Sequence, residues 1–213
     1  RYDGTNKWQK IINMSERPDS IVFNISETGV YTVLLVQGQV NDVPDGHYVK
    51  ESIDRFLSKF DLSGVFADIK HSFAPENRVS GKEAVLLYEM VMGMAEEHTG
   101  LDMKQKVGKT GLDGIISPNN VMKDISRQQA AAVTIKMYSV KTGVNVESLR
   151  PGRNIYISDE NSIEDKFYKP VLLSIDLGIM TLESDGSFKP KASITRAEVV
   201  TVLVKLLELT GEL

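Results

Sequence analysis

Apolar and polar positions follow two rhythms along this chain of 213 residues. The early segment is strand-like. Residues 20–25 and 30–36 are rich in β-branched and aromatic side chains, and Glu27-Thr28-Gly29 between them predicts a hairpin turn. A β piece this short cannot bury a core alone. Residues 1–39 therefore read either as the end of a β-sandwich whose earlier strands precede them, or as a β-cap packed on helices. Gln37-Gly38-Gln39 is the expected joint. From residue 40 the pattern is helical. Residues 82–94 put Val85, Leu86, Tyr88, Met90 and Val91 among the buried positions. Residues 199–209 do the same with Val199, Val200, Leu203, Val204, Leu206 and Leu207. Runs this apolar predict helices covered on more than one side. Met90-Val91-Met92-Gly93-Met94 reads as core filling before it reads as a binding surface.

The helix starts carry a recurring signature. Thr195 is a good N-cap and Glu198 follows three residues later, the capping-box spacing that satisfies two orphan backbone donors. Phe188-x-Pro190-x-x-x-Ile194-Thr195-x-x-Glu198 has an earlier counterpart in Phe73-x-Pro75-x-x-x-Val79-Ser80-x-x-Glu83. Upstream of each lies a helix closed by an apolar turn, around residues 53–64 and 171–179. A third cap, Ile125-Ser126-Arg127-Gln128-Gln129, leads into another apolar run, but Asn119-Asn120-Val121 stands where Phe-x-Pro is expected. Self-similarity at this spacing marks stacked supersecondary units. Arg196 lies at the mouth of the last helix. It reads either as a solvated charge or as a guanidinium fork that joins the helix N-terminus in holding a carboxylate or phosphate.

Composition narrows the class. With 41% hydrophobic and 25% charged residues the chain can bury a real core as one or two domains. Its net charge of −4 argues against nucleic acid as a partner. No apolar run has membrane-spanning length, so no membrane insertion is expected. Zero cysteines exclude a disulfide framework and cysteine metal sites. The chain opens on Arg1 without a signal peptide, which reads as a fragment or mature piece of a longer protein. His47, His71 and His98 match no metal spacing, and no nucleophile elbow is present. Glu183-Ser184-Asp185-Gly186 lacks the alternating oxygen ligands of a calcium loop. No catalytic residue, metal or cofactor is expected.

On these motifs the chain resembles a tandem of S-layer homology repeats. Ile194-Thr195-Arg196-Ala197-Glu198 matches the family's cap signature without a change. Val40-Asn41-Asp42-Val43-Pro44-Asp45-Gly46-His47-Tyr48 resembles a repeat opening, with Tyr48 where the family usually has Trp. Ile157-Ser158-Asp159 with Phe167-Tyr168 resembles another. The resemblance implies a mainly α fold: a pseudo-threefold helix bundle, or three-pronged spindle, over residues 40–213, with a short N-terminal β segment at 1–39. The repeats would span about 40–97, 98–148 and 149–213.

The family anchors surface proteins to a secondary cell-wall polysaccharide whose sugar in several members carries a pyruvate ketal. The resemblance therefore implies a non-catalytic anchor on a bacterial, Gram-positive type of wall, outside the cell. Its partners would be the wall polysaccharide and other surface-layer proteins. Carried over by position, the cap cations are Arg196 and Arg127, with Thr195 and Ser126 as their caps. Gly81 replaces the first Arg, leaving Lys82 one residue later as a flexible substitute. Tyr48 and either Phe167 or Tyr168 are the candidate aromatic platforms, with prong packing as their other reading. Gly186 marks the turn of the last prong. Arg150-Pro151-Gly152-Arg153-Asn154 reads as a groove border or a plain connector. Two further readings stay open: a helical protein–protein scaffold that has lost the sugar site, and an enzyme whose catalytic domain lies outside these residues.

Overall fold

A computed structural model describes residues 14–17, 20–23, 40–66, 69, 72–152 and 154–213. The described residues are mainly helical, with six α-helices: α1 Lys50–Lys59, α2 Gly81–Val91, α3 Met103–Thr110, α4 Arg127–Thr142, α5 Asp165–Asp176 and α6 Arg196–Leu209. Two short strands, β1 Met14–Arg17 and β2 Ser20–Phe23, pair antiparallel with Met14 opposite Phe23. The sequence reading paired 20–25 with 30–36, a pairing that lies outside the described residues. In the structure β2 pairs with the upstream segment β1. The expected turn at 27–29, the strand at 30–36 and the joint at 37–39 lie outside the described residues, as do His71 and Arg153.

The helices α2, α4 and α6 begin at the three predicted caps and converge on one apolar centre. Ala84 and Leu87 meet Ala130, Val133 and Met137 there, together with Val199 and Leu203. Each of these helices carries a second helix outside it: α3 on α2, α5 on α4, and α1 on α6. The buried apolar residues from Val40 to Leu207 form one continuous core. Helix α3, which the hydrophobic pattern did not single out, is short and mostly polar. Its local signal is the capping box of Asp102 with Gln105.

The caps are bound to one another in a ring. Val79 N–H donates to Ile194 O (3.0 Å), Ile194 N–H to Ile125 O (3.1 Å), and Ile125 N–H to Val79 O (2.9 Å). The first helical N–H of each cap helix also donates to a neighbouring segment: Gly81 to Lys123 O, Arg127 to Ala192 O, Arg196 to Asn77 O. The second N–H does likewise, Lys82 to Val121 O, Gln128 to Pro190 O and Ala197 to Pro75 O. The third donates to the cap side chain, Ser80, Ser126 or Thr195. The orphan donors that make a helix start attractive to an anion are thus satisfied internally at all three helices.

Two lips above the ring share one construction. Asp42 accepts from Phe73 and Ala74 N–H at 2.8 and 2.7 Å. Asp159 accepts from Phe188 and Lys189 N–H, both at 2.8 Å. The middle residues of both Phe-x-Pro motifs, Ala74 and Lys189, take positive φ (50° and 55°), a conformation that costs a non-glycine residue and that the carboxylate holds in place. Desolvation pushes the Asp42 carboxyl up, but hydrogen bonds from the Ser72 hydroxyl and these amides outweigh it and hold it below its usual range. A carboxylate held down in the folded state stabilises above its unfolded value and loses that contribution as pH falls through its folded value. Acid below about pH 4 should therefore loosen this lip early. Faster amide exchange at Phe73 and Ala74, abolished as a pH-dependent effect in Asp42→Asn, would report it.

At the other end of the bundle, Glu212 gathers three helices. Its side chain meets Lys141 of α4 at 2.5 Å, and its carbonyl accepts from the buried Lys59 of α1 at 2.7 Å, just beyond the end of α6. Gly152 N–H to Asp176 and Lys169 to Glu147 hold the 143–165 connector along α5.

Candidate functional site

The cap residues form a relay between neighbouring helices. Glu198 divides its carboxylate: Oε2 accepts from Thr195 N–H at 2.8 Å and closes its own capping box, while Oε1 accepts from Arg127 Nη1 at 2.5 Å. Arg127 also donates from Nε to Phe188 O (2.9 Å) and from Nη2 to Thr181 O (3.2 Å), with its guanidinium over the Phe188 ring. Glu83 divides in the same way, with Oε2 on Ser80 N–H and Oε1 facing Arg196 Nη2 at 3.4 Å. Arg196 donates to Phe73 O (3.1 Å) and stacks over Phe66 at 4.2 Å. Both arginines are buried, 7% and 6% exposed. The sequence placed these cations at helix mouths; the fold turns both inward, onto the carboxylate of the next cap and the lip carbonyls. Thr195 and Ser126 are half-buried and act as N-caps.

The third junction has lost both partners together. Gly81 takes the Arg position, and a Cβ there would meet Ile116 Cγ2 and Val121 O at 3.0 Å. The shortened loop before α4 fills the space a guanidinium takes elsewhere. Opposite it, Gln129 keeps Oε1 on Ser126 N–H (2.9 Å) but turns its amide to donate to Ile115 O (2.8 Å). A glutamate there would face a carbonyl with no cation, so the amide replaces the carboxylate for a plain electrostatic reason. Lys82 does not stand in for the missing Arg: its side chain is exposed and it occupies the place of Gln128 and Ala197. Gly81→Ala should destabilise by about 1–2 kcal/mol, because overpacking outweighs the gain in helix propensity; urea unfolding measures it.

The aromatic candidates are unequal. Tyr48 is 71% exposed and stacks on His47 with ring centroids 4.7 Å apart. Desolvation, with the nearby carboxylates of Glu76 and Glu198, raises its phenol above the usual value. Its phenol thus feels the charge of Glu198, the carboxylate that Arg127 pairs with. Tyr168 instead donates to Glu160 at 2.6 Å, a bond that raises its phenol, and lies half-buried on α5. Phe167 is buried. Gly186 (φ +77°) closes the last prong by accepting from Ser158 N–H at 3.0 Å, a turn that favours glycine.

One buried cluster had no sequence forecast. Glu89 of α2, 1% exposed, meets His98 Nδ1 at 2.7 Å and Lys106 Nζ of α3 at 2.6 Å. The lone polar residue on a buried helix face was the available signal. Among the described residues no group of three or more His, Cys, Asp or Glu could hold a metal ion, and no helix is long and apolar enough to cross a membrane.

Comparison with known proteins bears on this geometry. The amylopullulanase of Thermoanaerobacterium thermosulfurigenes is 24% identical over 226 aligned residues, covering 98% of this chain and 12% of that protein. The chain thus spans about an eighth of the length of this curated relative. Residues 156–200, which hold α5, the last prong and the Thr195 cap, match the family model of the S-layer homology domain.

Proposed function

We propose that residues 40–213 comprise three tandem S-layer homology repeats, about 40–97, 98–148 and 149–213, closed into a pseudo-threefold bundle that anchors a parent protein to the bacterial cell wall. The S-layer homology domain generally acts as a non-catalytic cell-wall anchor. The cyclic hydrogen bonding of the three caps supports the threefold reading. The ligand is a secondary wall polysaccharide bearing a fixed carboxylate, such as a pyruvate ketal, and the work is done outside the cell without a cofactor.

The observation that carries this reading is Tyr48, 71% exposed and stacked on His47. An exposed aromatic face suits the C–H surface of a sugar, and polar groups at its edge fix the orientation. Tyr48 contacts the glycan. Arg127 and Arg196 act as positioning residues, holding the lips that border neighbouring grooves. Thr195 and Ser126 fix the caps, Gly186 the last turn, and Lys82 and Tyr168 are peripheral. The junction of Gly81 and Gln129 is closed by packing and contributes structure.

Co-sedimentation with purified wall sacculi, before and after chemical removal of the secondary polymer, tests the reading. Wild type should bind only the untreated wall. Tyr48→Ala should weaken binding about tenfold, or about 1.4 kcal/mol, while Tyr168→Ala and Lys82→Ala bind nearly as wild type. Wild type that ignores both walls would favour the scaffold alternative.

A further inference from the structure

We infer that His47 is a positioning residue whose uncharged form holds Tyr48 in place, so that the Tyr48 face is pH-sensitive. The glycan arm of the argument rests on the anchoring reading above; the conformational arm does not. Val49 N–H, at the start of α1, donates to His47 Nδ1 at 3.3 Å. An imidazole that accepts at Nδ1 carries its proton on Nε2 and is neutral. The backbone around it is pinned: His47 N–H donates to Pro44 O at 2.8 Å, and Lys50 N–H donates to His47 O at 2.9 Å. The ring so fixed lies nearly parallel to Tyr48, at an interplanar angle of 29°.

Protonation changes every one of these terms in one direction. A proton on Nδ1 opposes the Val49 N–H, donor against donor. The imidazolium also sits at the N-terminal end of α1, where the helix dipole disfavours a cation. The Tyr48 phenol feels the carboxylates of Glu76, on the loop after the first lip, and Glu198, at the start of α6. Behind Glu198 stands Arg127. On the ring's own segment are Asp45 and Lys50, whose ammonium is held by Asp54 at 2.7 Å. The Val49 N–H repels an imidazolium. The ring therefore swings away from α1, and Tyr48 loses the surface it stacks on. Attraction between an exposed imidazolium and an anionic glycan is screened and small, so the displaced platform governs the outcome.

Two measurements on the full chain test this. In proton NMR, the Tyr48 ring resonances should shift with the same midpoint as the His47 ring protons on acidification. Binding to untreated sacculi should fall several-fold between about pH 8 and about pH 5, the range in which histidine changes charge. His47→Asn keeps a side-chain acceptor at the same two-residue spacing but does not titrate. It should bind more weakly than wild type at the alkaline end, because the ring under Tyr48 is gone, and show a flat profile. Tyr48 resonances indifferent to His47 titration, or an unchanged pH profile in His47→Asn, would overturn the proposal and leave the anchoring reading standing. Binding at no pH would overturn both.

Discussion

Arg127→Ala should lower the stability of the chain by about 3 kcal/mol, the range expected when one partner of a buried charge pair is removed. For a chain of this size that is a fall in Tm of about 6–12 °C. Arg127 is 7% exposed and makes bonds to Glu198, Phe188 O and Thr181 O. Its loss strands an acceptor on α6 and two carbonyls of the last lip, and opens a void beneath Phe188. The sequence read the cap cation as a group for holding a ligand; the buried geometry makes it a structural one. The molecule supplies its own control in Gly81 and Gln129, where both charges are absent together. Glu198→Gln should therefore recover part of the lost stability when added to Arg127→Ala, though it destabilises wild type alone. A double-mutant cycle in urea reads the coupling. Strict additivity of the two changes would show that the relay between caps carries no energy.

Glu89→Ala should cost about 3–5 kcal/mol, for a related reason. The carboxylate is 1% exposed and is the common partner of His98 and Lys106, whose side chain is 14% exposed. Removing it leaves a largely buried ammonium facing an apolar cavity at the α2–α3 contact. Because α3 is short and mostly polar, little apolar burial of its own holds it against α2. Amide exchange should therefore accelerate in α3 before it does in α4 or α6. Lys106→Met, which removes the cation and keeps the volume, should cost less. Equal protection in α3 and α6 of the Glu89→Ala protein would refute the idea that this cluster fastens α3.

How much of this was legible beforehand follows from which interactions are local. Each capping box joins residues three apart, so Ser80, Ser126 and Thr195 could be read as helix starts from the sequence, and α2, α4 and α6 begin there. Helix α3 was missed because its eight residues carry little apolar periodicity, although Asp102 and Gln105 spelled a cap. The pairing of β2 with β1 was not foreseen, because β-propensity marks candidate strands without choosing their partners. The match of residues 156–200 falls on the segment where the cap signature is complete.

By itself the sequence determined where helices start, which faces are apolar, and that no thiol chemistry is available, because these depend on residue type and on spacings of a few positions. Only the tertiary structure decided what the charged cap residues face. Arg127 and Glu198 are 71 positions apart, and Arg196 and Glu83 are 113. Their pairing exists only because the caps close into a ring. That closure turns two apparent anion-binding arginines into buried struts and explains why Gln129 carries an amide where no Arg faces it. A helix start looks alike in sequence whether its N–H groups meet solvent, a ligand or the next cap, and here packing supplied the next cap.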